Sequence, residues 1–205
     1  MKEKYIKILL WPLILFLSYL VINSINSEIT FQKEAKIRID QNVQKLKDLR
    51  LLQVAYKKAN NEFCDNFDTL LNFYFNDSLF IVKAEGETPD TLTDKQALKM
   101  GIISRDTSYV SVRETLFDEV YKKTRDNSFS IDENNMTKIP FADIHYNIDA
   151  GVINKGNVNV QVFEISATYK NVLFGLNAKN KKYDLEKLLK VGSMNEASLN
   201  GNWGE

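Results

Sequence analysis

The chain has 205 residues, 44% of them hydrophobic and 26% charged, with 27 Lys and Arg against 27 Asp and Glu. That balance excludes a disordered polyelectrolyte and a generally basic nucleic-acid binder, so no nucleic-acid partner is expected. A single cysteine, Cys64, and a single histidine, His145, exclude an intrachain disulfide, a cysteine zinc cluster and most His-dependent catalytic or metal sites.

The strongest signal comes first. Met1 to Lys7 carries three lysines and is followed by Ile8 to Ile22 without a charge. With Tyr5, Ile6 and Ile25 the apolar stretch reaches about 21 residues, or roughly 31 Å of helix, which matches the hydrocarbon core of a bilayer. Trp11 and Tyr19 are aromatics of the interfacial kind, Lys7 can snorkel, and Pro12 should bend the first turns. A cleavable signal peptide is the competing reading, but Val21 to Ser27 offers no small-x-small cleavage site. An uncleaved signal anchor is therefore expected, with Lys2, Lys4 and Lys7 holding the amino terminus in the cytoplasm.

From Glu28 to Tyr56 there is neither Gly nor Pro, so one long helix should continue out of the anchor. Glu28 to Arg38 is polar on most sides and reads as a stalk. Ile39, Val43, Leu46 and Leu49 follow helical spacing and should pack on a domain. A coiled coil is the alternative, but the repeat is short. Asp65-Asn66 can cap a second helix running to Phe75, and Ser78 to Ala84 reads as a strand ending at Gly86. After a polar loop with Pro89, Thr93 and Gln96 match a capping box, and Gly101 should stop that helix. Thr107 to Val112 is a further strand. Ile144 to Ile153 and Val158 to Thr168 form a hairpin about Asn154-Lys155-Gly156-Asn157, with a bulge expected where alternation shifts between Val162 and Phe163. Tyr183 to Leu189 reads as a last short helix, and Met194 to Glu205 as a loose tail unless Trp203 docks it.

The fold class is thus α+β: a transmembrane helix continuing into a long amphipathic helix packed on a mainly antiparallel sheet. The organisation expected is a cytoplasmic stub at 1–7, an anchor at 8–25, a helical stalk at 26–45, a periplasmic domain at 46–193 and a flexible tail at 194–205.

Chemistry is sparsely signalled. Glu85, Glu87, Asp90 and Asp94 lack the spacing of a calcium loop and read as solvated, and Asp65, Asn66 and Asp68 are explained by helix capping. His145 opens a strand, Cys64 has no neighbouring positive charge to activate it, and Arg105-Asp106-Thr107 fits an exposed ion pair before a strand. No catalytic, cofactor or metal residue is assigned.

Two resemblances add to this reading. An apolar amino-terminal helix running into an amphipathic helix and then an antiparallel sheet resembles type IV pilins and pseudopilins. Leu49 to Tyr56, Asn60 to Phe63 and Phe67 to Leu71 are similar to the end of the pseudopilin helix and the loop after it. The prepilin motif is missing and no carboxylate lies between Ile8 and Ile22, so that family's processing and assembly residues have no counterparts here. Gly101 to Thr107, Thr115 to Phe117, Ile139 to Phe141, Val191 to Ser193 and Gly201 to Trp203 resemble segments of uncharacterised single-pass envelope proteins of Bacteroidota. Asp68-Thr69-Leu70, Asp77-Ser78-Leu79 and Asp90-Thr91-Leu92 resemble the O-glycosylation acceptor pattern of that phylum.

The resulting expectation is a non-enzymatic, single-pass inner-membrane protein with its domain in the periplasm. It would bind lipid through the helix and other envelope proteins, or itself, within a pilus-like, secretion or surface-motility assembly. The alternatives are a periplasmic ligand- or glycan-binding module, with Tyr146 or Tyr169 as aromatic walls, and a carboxylate-dependent enzyme.

Overall fold

The computed structural model describes residues 2–87, 91–178 and 182–204, with side chains left undescribed at 2–9 and 81–84. One α-helix, α1, runs unbroken over Lys2–Asn60 and contains Pro12. At 1.5 Å per residue it is about 88 Å long. It stops at Asn61, whose left-handed backbone (φ 64°) turns its N–H onto the Lys57 carbonyl at 2.8 Å. Asn is among the few residues that take this C-terminal cap at low cost.

Burial divides α1 sharply. Every described side chain from Leu10 to Ile25 is exposed, whereas no residue from Arg38 to Lys57 is. The expectation of a helix laid across one sheet face is therefore too weak, because the rest of the chain wraps around α1. Packing also begins inside the stretch read as a stalk: Phe31 and Ala35 already belong to the core. Polar Glu28, Gln32, Lys33 and Glu34 conceal that start, since Phe31 and Ala35 alone lie four apart on the inner face.

α2 (Phe67–Asn76) is capped by Asn66, whose side chain accepts from the Asp68 and Thr69 N–H groups, and it buries Leu70, Phe73 and Tyr74. β1 (Ser78–Glu85) and β2 (Ser104–Ser111) form an antiparallel pair in register from Ser78 opposite Ser111 to Glu85 opposite Ser104. Between them lies α3 (Asp94–Lys99), where the Thr93 N–H donates to Gln96 Oε1 at 3.0 Å. Gly101 closes it as foreseen, at φ 70° with the Ile102 N–H on the Ala97 carbonyl. Two short helices not foreseen, α4 (Val112–Leu116) and α5 (Glu119–Thr124), follow. An irregular segment then crosses α1 before the second sheet.

That sheet has three antiparallel strands in the order β3 (Asn147–Lys155), β4 (Val158–Thr168), β5 (Leu188–Gly192), with α6 (Tyr169–Val172) after β4. The single sheet implied by the sequence is thus two among the described residues. The hairpin turns on Gly156 and Asn157, both at positive φ. Its register runs continuously from Asn147 opposite Ser166 to Lys155 opposite Val158, so there is no bulge at Val162. Alternation fails there because Val162 and Phe163 are both buried. Phe163 meets Phe63 on one face, with ring centroids 4.7 Å apart. Gly151, opposite Val162, is covered on the other face by Met194.

The helix read over Tyr183 to Leu189 is also corrected. Leu188–Gly192 is a strand paired with β4, and Lys182 to Lys187 is not helical. Pairing with the open edge of β4 outweighs the local helical preference of Leu, Glu and Lys. Finally, Trp203 packs against the core and the tail is held. Gly201 bridges Val191, the Asn202 side chain donates to the Leu188 carbonyl at 2.8 Å, and Arg50 donates to Leu199 O at 3.3 Å.

Candidate functional site

Two features of α1 stand out. The first is its apolar end. Trp11 is 67% exposed, and Leu13, Ile14, Leu15, Phe16, Leu17, Tyr19, Val21, Ile22 and Ile25 are at least half exposed. This helix is long and apolar enough to cross a membrane, and none of the described residues covers its apolar window. So large an unbroken apolar surface is stable only in lipid or against another apolar surface.

The second is a polar seam along the enclosed part of α1. Asn42, Gln44, Asp48 and Gln53 are buried on the helix, and Arg125 is buried against it. Asp48 takes Arg125 Nη2 at 2.8 Å and Nε at 3.1 and 3.3 Å on its two oxygens. It also accepts from the Tyr121 hydroxyl at 2.7 Å and Gln44 Nε2 at 2.9 Å. Arg125 Nη1 donates to the Asp126 and Phe129 carbonyls. Burial, reinforced by the Asp48 charge, pushes the Tyr121 hydroxyl well above its ordinary pKa. Above this knot, Tyr146 donates to Asn42 Oδ1 at 2.5 Å and Lys45 donates to the carbonyls of Asn135 and Lys138 at 2.5 and 2.7 Å. Burial lowers the Lys45 ammonium. Each of these groups is spent on straps holding the irregular 125–146 segment to the helix. The Asp48–Arg125 pair, bonded at both carboxylate oxygens, acts as a fastening between helix and segment.

Two open grooves flank the seam. One of about 440 Å³ is lined by Lys45, Asp132, Lys138, Phe141 and Asp143 among others, and one of about 840 Å³ by Lys47, Arg50, Tyr121, Asp126 and Leu199 among others. Neither contains Tyr146 or Tyr169. Tyr146 is buried with its hydroxyl committed to Asn42, and Tyr169 stacks on Tyr183.

The residues considered from sequence do not converge. Glu85 and Glu87 are exposed, Asp94 pairs with Arg105 at 2.8 Å, and Asp90 lies outside the described residues. Asp65 and Asp68 are exposed beside the capping Asn66. His145 is exposed with Nδ1 3.0 Å from the Thr137 hydroxyl. Cys64 is buried, its backbone held at both ends by the Gln53 amide (3.0 and 2.6 Å), and burial raises its thiol pKa. Thr69, Ser78 and Thr91, the hydroxyls of the glycosylation-like triplets, are exposed. Among the described residues no group of three His, Cys, Asp or Glu side chains could hold a metal ion.

The Asp48–Arg125 seam was not anticipated. Its one trace in the sequence is that Asn42, Asp48 and Gln53 interrupt the apolar spacing of Leu46, Leu49 and Leu52, as happens when a helix is enclosed on all sides. What the fold defines is an α+β domain built around a helix that extends beyond it as a bare apolar rod. No family profile matches the chain, and no curated protein or solved structure matches it.

Proposed function

We propose that this is a single-pass, membrane-anchored component of a bacterial envelope assembly, working through contacts of its domain and without an active site of its own. The observation that carries the reading is the continuity of α1, exposed and apolar from Leu10 to Ile25, then enclosed by the domain from Arg38 to Lys57. Anchor and core are one helix, so the domain is held at a set height and bearing on its membrane. Confinement to that membrane raises the effective concentration of partners in it, and modest interfaces then suffice. The same continuity argues against leader cleavage, because residues 23–27 lie within the helix and not in an extended segment. Lys2, Lys4 and Lys7 support a cytoplasmic amino terminus and a periplasmic domain. The apolar, exposed start of α1 running directly into the domain is the feature on which a pilus-like, secretion or motility assembly is proposed.

The test is crosslinking in intact cells followed by purification through a carboxy-terminal tag, with carbonate extraction of the membranes. The reading predicts a carbonate-resistant protein with its mature start before Ser27 and a reproducible crosslinked partner. A soluble, processed chain or a free monomer throughout would overturn it.

A further inference from the structure

Most of the 125–146 segment is strapped to α1, but one turn of it displays an aromatic ring. Ile139 and Ala142 are buried, with the Ile139 N–H on the Ile144 carbonyl at 2.8 Å and the Ala142 N–H on the Ile139 carbonyl at 3.2 Å. Between them Phe141 has a left-handed backbone (φ 65°) and is 58% exposed. That conformation is strained for a bulky side chain, and burial of the ring does not offset it. Arg38 on α1 steadies the ring instead, its guanidinium 4.5 Å from the ring centroid.

Phe141 borders the groove of about 440 Å³ between α1 and this segment, a volume within the roughly 300–1,000 Å³ of small-ligand sites. The charges along its walls are already matched. Lys138 pairs with Asp143 at 2.6 Å, Arg125 is bound to Asp48, and Lys45 donates to two backbone carbonyls. Asp132 accepts from the Asn135 side-chain amide at 3.0 Å and from the Asn135 N–H at 3.3 Å, and these bonds hold it below the usual carboxylate range. Lys45, Lys138 and Arg125 are thus balanced by Asp48, Asp132 and Asp143. By contrast, the Gln41 amide and the Ser130 hydroxyl, both lining the groove, have no bonding partner among the described residues. Gln41 lies one turn before Lys45 on the same face of α1.

We propose that this groove binds a neutral pyranose, one ring of an oligosaccharide lying against Phe141. The CH face of a pyranose is apolar with weakly positive hydrogens, which suits the negative face of an aromatic ring. Its hydroxyls both donate and accept, as do the Gln41 amide and the Ser130 hydroxyl, and Asp132 adds an acceptor. Other occupants fit less well. An anion or cation would find no net charge to neutralise, and an apolar molecule would leave Gln41 and Ser130 cut off from water without partners. No group of three His, Cys, Asp or Glu side chains among the described residues could hold a metal ion there. The inference does not rest on α1 crossing a membrane.

The full chain, in a sugar-free detergent, is mixed in turn with maltotetraose, tetra-N-acetylchitotetraose and the anionic tetragalacturonate, and binding is read by saturation-transfer NMR. At least one neutral tetrasaccharide should take up saturation at its ring CH protons, saturably and equally at low and high salt. Glycine adopts the left-handed conformation without steric cost, so Phe141→Gly removes the ring while sparing the turn. It should weaken binding by about tenfold, as loss of an aromatic anchor does. Gln41→Ala, on the rigid helix, should also weaken it and decides the matter if the near-ultraviolet circular dichroism of Phe141→Gly departs from that of the parent. Failure of both neutral sugars to bind would overturn the proposal. So would binding that neither variant diminishes, or a preference for tetragalacturonate that salt abolishes.

Discussion

Asp48, on the enclosed part of α1, and Arg125, just after α5, meet at 2.8 Å with each side chain only 4% exposed. Neither can be removed alone without leaving a charge buried. Arg125→Met should destabilise the protein by roughly 3–5 kcal/mol, and Asp48→Leu by a similar amount, while the double variant should recover much of the loss. Urea unfolding of the detergent-solubilised chain, followed by near-ultraviolet circular dichroism, measures all three. A double variant as unstable as the sum of the singles would show that the pair does not act as a unit.

Gln53 spans the Cys64 backbone from inside the core, accepting from its N–H at 3.0 Å and donating to its carbonyl at 2.6 Å. Gln53→Leu keeps the volume and orphans both groups. Each buried orphan costs about 1–3 kcal/mol, so a drop at the upper end of single-residue effects is expected in the same unfolding measurement.

The Cys64 thiol should be slow toward maleimides in the folded protein and fast in denaturant, since burial both hides it and raises its pKa. Mass spectrometry of timed labelling reads the ratio. Rapid modification of the native chain near neutral pH would contradict the burial.

The pH profile follows from the direction of the shifts. Burial raises Tyr74, Tyr121 and Tyr146 above their ordinary range, and Cys64 likewise. Groups with raised folded values stabilise fully below their unfolded pKa, about 8.5 for Cys and 10 for Tyr, and lose that contribution as the pH climbs beyond. Lys45, lowered by burial, works in the opposite sense, but the tyrosines outnumber it. At the acid end, hydrogen bonding to Arg113 holds Glu133 below the usual carboxylate range, so its contribution is present above about pH 4.3 and fades as the pH falls through its folded value. A plateau between about pH 5 and 8 with losses on both sides is expected in thermal melts.

Two glycines provide a graded test of the second sheet. Gly156, at φ 59° with open space around it, should tolerate alanine at about 1–2 kcal/mol. Gly192, at φ 76°, would put a Cβ 2.2 Å from the Phe163 carbonyl oxygen, and β5 would have to move. Gly192→Ala should therefore cost clearly more than Gly156→Ala in parallel unfolding curves.

What could be read in advance was whatever depends on neighbours along the chain. The charge-free Ile8 to Ile22 run, the Asn66 cap, the Thr93 and Gln96 box with Gly101, and the hairpin around Gly156 are all set within a few residues. What could not be read depends on distant surfaces. Leu188 to Gly192 is a strand because β4 offers an open edge. Val162 breaks alternation because β4 is central and Met194 returns over the opposite strand. The 125–146 segment carries little periodicity, since its shape comes from Asp48, Lys45 and Asn42 on a helix some 80 to 100 residues earlier. The pairing within the seam is hidden for the same reason: one polar residue on a helix says nothing of its partner until the fold brings the two together.

The helix has a mechanical consequence. Between Ile25 and Asn60 it has no joint, and at 1.5 Å per residue that span is about 52 Å. A swing of about 10° at the base, small beside the 0–40° range of membrane helices, would carry the tip sideways by about 9 Å. The molecule is then a lever, able to turn a slight reorientation within the lipid into a displacement large enough to make or break a contact at its far end.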